Sequence, residues 1–139
     1  MVTINESTLR HDIFETFYDI ANAITYSTST APTITAAYID GAHAPFPQIV
    51  INPIDISVEK ILIGERTSDN MKLRNVVVTI DIYTKKNEDL DLIVDLLDTS
   101  IIDTQITGVT MVSNDENTNT VFPNDQKLRS KTLTYAYMR

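Results

Sequence analysis

The residues able to do chemistry are few and far apart. Cysteine is absent, which removes thiol nucleophiles, disulfides and zinc–thiolate sites together. The only histidines are His11 and His43. His43 follows Asp40 by three positions, but a His–Asp pair is useless for acyl transfer without a nucleophile in reach. Ser57 and Ser68 have no elbow sequence around them, and His11 falls on the polar side of a helical repeat. Asp55, Glu59 and Glu65 lose any acid/base spacing once their segment is read as a strand. Three scattered glycines make no phosphate-cradling loop.

Two acidic groupings bear on metals. Asp115-Glu116-Asn117-Thr118-Asn119 begins like a calcium loop, with oxygen side chains at alternate positions. That loop needs glycine at its sixth position and a bidentate glutamate at its twelfth; Thr120 and Gln126 stand there. The segment is expected to be a polar turn. Asp91, Asp95 and Asp98 share one face of a helix at i, i+4 and i+7. No histidine or second acidic helix converges on them, so a solvated face is expected. Lys72, Arg74, Lys85 and Lys86 lie near the two ends of one predicted strand. They would form a small positive patch or, the preferred reading, be solvated or pair with neighbouring aspartates. Tyr135 and Tyr137 suit an interface stripe or ordinary strand positions equally. No catalytic, cofactor-binding or metal-binding residue is assigned, and the chain is expected not to be an enzyme.

The elements that would carry these residues are clearer, and the chain is organised around Asn75–Ile102. Val76, Val78, Ile80 and Ile82 alternate with Val77, Thr79, Asp81 and Tyr83, the period of a strand. Asn87 suits a helix cap, and Glu88, Asp89 and Asp91 suit the positive end of the helix dipole. Leu90, Ile93, Val94, Leu97 and Ile101 recur at helical spacing, widened by Leu92 and Leu96, from about Glu88 to Ile102.

Upstream, residues 5–26 read as a first helix capped by Asn5 or Ser7, with the stripe Leu9, Ile13, Phe17, Ile20, Ile24. Thr33–Asp40, Gln48–Asn52 and the run Val58–Ile63 are β-prone, with an irregular Pro-rich stretch between the first two. Glu65–Leu73 is expected to be a mobile connection. Downstream come a strand over Gln105–Ser113 with a bulge at Gly108, a turn over Asn114–Asn119, and a last strand over Lys127–Met138. The order α-β-β-β-β-α-β-β predicts an α+β fold: a mainly antiparallel sheet with two helices packed on one face.

The 139 residues fit a single domain, 1–139, and 42% apolar content suffices for a core. No apolar run approaches the roughly 18–20 residues of a membrane span, and Met1–Glu6 lacks the basic and apolar regions of a signal peptide. A formal charge of −8 disfavours tight binding to phosphate backbones and has solubility as its plain reason.

Laid out in this order, the chain resembles the tail-terminator, or tail-completion, proteins of long-tailed bacteriophages. The resemblance rests on the N-terminal helix and the Pro-flanked strand Phe46-Pro47-Gln48-Ile49-Val50-Ile51. It rests also on the long strand Val76–Tyr83 leading directly into the helix Glu88–Ile102, and on the terminal strands. It implies a structural virion protein that forms a homo-oligomeric, hexameric ring at the head-proximal end of the tail tube. Such a ring ends tube polymerisation and joins tail to head. Its partners would be the tail tube protein and the head–tail connector protein. DNA would pass through its lumen without specific binding, past an acidic lining that repels phosphate. It would sit in the virion neck after assembly in the host cytoplasm, away from membranes. Glu65–Leu73 and Ser113–Pro123 would be its docking segments. Another neck, head–tail connector or baseplate protein, or a small α+β ligand-binding module, are the alternatives.

Overall fold

A computed structural model of the chain describes residues 9–28, 32–36, 47–61, 71–85, 87–106, 109–121 and 128–138. Their elements are α1 (Leu9–Ala23), β1 (Thr33–Ala36), β2 (Gln48–Ile51), β3 (Asp55–Ile61), β4 (Met71–Thr84), α2 (Asn87–Asp103), β5 (Thr110–Val121) and β6 (Leu128–Met138). The fold is α+β, with one six-stranded sheet in the order β1-β2-β4-β6-β5 and β3 also paired to β4. Every pair is antiparallel except β1–β2.

β4 is the axis of the sheet. Its alternation puts Val76, Val78, Ile80 and Ile82 on one face, all fully buried. The register sets Tyr137, Tyr135 and Leu133 of β6 opposite Val76, Val78 and Ile80. On the other side Ile51 and Ile49 of β2 stand opposite Ile80 and Ile82. Cross-strand pairs share a face, so these side chains form a continuous apolar floor. Both helices cover that floor, and one buried cluster joins them to the sheet.

α2 supplies Leu90, Ile93, Val94, Leu97 and Ile101, all buried, with Leu92 and Leu96 half-buried beside them. Burying each such side chain contributes about 1.5–3 kcal/mol, which is what docks the helix. α1 buries Leu9, Ile13, Thr16, Phe17 and Ala21. Phe17 meets Tyr137 edge-on at 5.9 Å between ring centroids and lies 6.1 Å from Tyr135. Tyr135 and Tyr137 are therefore core residues, and the interface-stripe reading is set aside.

Several boundaries differ from expectation. α1 ends at Ala23 rather than at 26. The hydroxyl of Tyr26 donates to the Ala21 carbonyl at 2.9 Å, a group that another helical turn would have used. Ile20 and Ile24 are only half-buried, and Thr16, whose hydroxyl donates to the Asp12 carbonyl at 2.7 Å, takes the inward place. Residues 5–8, with the caps assigned to Asn5 and Ser7, lie outside the described residues. So does the side chain of Asn87, although α2 does begin there.

Met71–Leu73, read as part of a mobile connection, belong to β4, because Met71 to Val77 pair in register with β3. Asn114–Asn119, read as a turn, is the middle of β5 and pairs residue for residue with β6. β5 begins at Thr110, not Gln105, and its irregularity falls between Met111 and Ser113. Gly108, where the bulge was expected, lies outside the described residues.

Candidate functional site

The residues weighed for chemistry do not converge. His11 sits on the exposed side of α1 and pairs with Glu15 at 3.1 Å, one helical turn away. His43, Asp40, Ser68 and Glu65 lie outside the described residues, and Ser57 and Asp55 are exposed on β3. Lys72 and Arg74 begin β4 while Lys85 follows its end. At about 3.3 Å per residue these ends are about 40 Å apart, so the basic residues make no single patch. Among the described residues, no group of three or more His, Asp or Glu side chains is placed to hold a metal ion. Asp115 to Asn119 are extended along a strand, which spreads their oxygens instead of wrapping them round an ion.

Two carboxylates have structural partners that spacing alone did not reveal. Asp91 and Asp95 are exposed, but Asp98 is half-buried and accepts a 2.5 Å hydrogen bond from the Tyr135 hydroxyl. That bond ties α2 to β6. Burial, and then Asp98 itself, hold the Tyr135 phenol far above its ordinary range, so it remains a donor. On the sheet face away from the helices, Asp81 accepts from the Thr132 hydroxyl at 2.5 Å and from the Asn52 side-chain amide at 2.8 Å. The Asn52 backbone N–H also donates to the Thr79 carbonyl at 3.0 Å. Asn52 thus closes the gap between β2 and β3, which both pair along the same edge of β4. These are fasteners, each satisfied within the chain.

What remains open is the outer side of the sheet. β5 is its last strand, and among the described residues no strand pairs with its outer edge. The six successive residues Ser113 to Thr118 are all exposed, which means both faces of the strand are open along that length. Val112, just before them, is 53% exposed. An ion pair between Lys131 and Glu116 at 3.3 Å joins β6 to β5. At the opposite end of β4, Met71–Arg74 pair among the described residues only with β3, beyond the last β6 pair, Asn75 with Met138.

Docking surfaces were expected from mobile loops. The candidate surface is instead an ordered strand, and the only sequence signal for it was its unbroken polarity. No family model matches the chain, and no curated protein matches it.

No described helix is long and apolar enough to cross a membrane.

Proposed function

We propose that this chain is a structural subunit of a phage neck: a tail terminator that assembles as a ring of six copies on the head-proximal end of the tail tube. The observation that supports it most is β5, a 12-residue strand that among the described residues pairs only with β6, with Ser113–Thr118 open on both faces. An unpaired edge is a template for another chain, and a polar one permits soluble subunits to meet without aggregating. The element order α-β-β-β-β-α-β-β adds support, since the long strand running straight into a docked helix is the feature that carries the resemblance.

On this reading the mechanism is binding alone. The two-helix layer makes each subunit a rigid block, and the strand edge joins it to neighbours or to the tube. A ring of such acidic subunits keeps phosphate from adhering as DNA passes. The test is electron microscopy of the purified protein alone and mixed with tail tubes lacking a terminator. Rings with a DNA-wide hole, and tubes capped at one end, are expected. Binding to portal-side particles and not to tubes would reassign the chain to a connector component. Particles that stay monomeric at high concentration and bind neither would end the proposal.

A further inference from the structure

Neither helix carries a basic residue in its last turn. The carbonyls at that end of a helix give it a partial negative charge, which lysine, arginine or histidine can offset. Here the offset is missing twice, and the two ends are neighbours. A cavity of about 580 Å³ lies along the last turns of both helices. Thr25 and Gln105, which follow the two helix ends, also line it. Three of the terminal carbonyls accept hydrogen bonds: Ala21 from Tyr26, and Ser100 and Ile101 from Thr104. Those donors are neutral, so the negative end of each dipole stands.

The apolar part of the lining comes from Ile20 and Ile24 on one side and Leu96 and Ile106 on the other. The first three are the half-buried members of their helical stripes, so this cavity is where the stripes stay open to water. The polar part is neutral except for Asp19. Asp19 is exposed, and no described cation pairs with it.

We infer that this cavity binds a small organic cation: an amine with an apolar body, the body against Ile20, Ile24, Leu96 and Ile106 and the ammonium beside Asp19 and the two helix ends. The volume falls within the range of ligand sites, about 300–1,000 Å³, and so does the division into apolar walls with a few polar groups that set orientation. Charge selects the class. An anion would meet Asp19, two negative helix ends and a chain of formal charge −8. A neutral molecule would gain the walls but leave the field unused. A bare metal ion would find one carboxylate and no second acidic or histidine ligand in the described lining. This inference does not rest on the ring proposal.

Three probes of similar shape separate the alternatives: 4-phenylbutylamine, 4-phenylbutanol and 4-phenylbutyrate. Each is titrated into the full chain and into D19N while the methyl resonances of Ile20, Ile24, Leu96 and Ile106 are followed. Saturable shifts of these methyls with the amine are expected, with the alcohol about 5-fold weaker and the carboxylate weaker still. D19N, altered at an exposed position, keeps the fold; it should bind the amine about 3-fold more weakly and the alcohol as the parent does. No saturable shift with the amine overturns the inference. So does an alcohol that binds as tightly as the amine, or an amine affinity that D19N leaves unchanged.

Discussion

β4 and β5 pair antiparallel with the same strand, β6, one on each side, yet they are held in place by different physics. β4 is β-branched and alternating, and its inward residues disappear under two helices. β5 reads Ser-Asn-Asp-Glu-Asn-Thr over its middle, where Asn, Asp and Glu disfavour strands, and Val112–Thr118 are all exposed. Its order comes from a register-matched ladder on β6, not from burial. The difference separates two roles: one side of β6 builds the domain, and the other offers a prepared, soluble edge to something else.

The contrast is broken most easily at its buried side. Ile80→Ala removes a side chain clamped between Leu133, Ile51 and the helices. It should cost about 3–4 kcal/mol of unfolding free energy in urea titrations. A loss below about 1 kcal/mol would mean that β4 is no better packed than β5.

Tyr135→Phe leaves the ring packed but strips the Asp98 carboxylate of its donor. A loss of about 2 kcal/mol is expected, since hydrogen bonds to charged groups exceed neutral ones. The same residue gives a pH signature. Tyr135 and Tyr137 have folded-state values raised above their ordinary range near 10. Above that pH the unfolded chain has lost these protons while the folded chain keeps them. Their stabilisation is therefore whole below about pH 10 and falls as pH rises further, by up to about 1.4 kcal/mol per unit for each. Urea midpoints between pH 8 and 12 measure this, and the slope should be shallower in Tyr135→Phe.

On the β5 side, the double substitution Asp115→Lys with Asn117→Lys reverses charge on one exposed face of the strand. Stability should stay within about 0.5 kcal/mol of the parent by thermal melt. Smallest of all, Glu15→Gln breaks the exposed pair with His11 and should cost less than about 0.5 kcal/mol.

The regions that sequence described well are those where burial and periodicity agree. The period-2 run Val76–Ile82 and the helical stripe Leu90–Ile101 have one low-energy reading, and β4 and α2 follow from it. β5 was illegible because local propensity and tertiary pairing conflict there. Nothing in Asn114–Asn119 announces a strand until β6 is alongside to template it. Asp98 was illegible for a related reason. Helical spacing grouped it with Asp91 and Asp95, while the tyrosine that claims it lies 37 positions away in another element.

The account turns on whether the open edge of β5 is where this protein meets its neighbours. Sedimentation and electron microscopy of the parent and the Asp115→Lys/Asn117→Lys variant, with and without tail tubes, measure that directly. Ring or tube-end assembly by the parent, abolished in a variant whose melting point is unchanged, is the predicted result. A variant that assembles as well as the parent would contradict it.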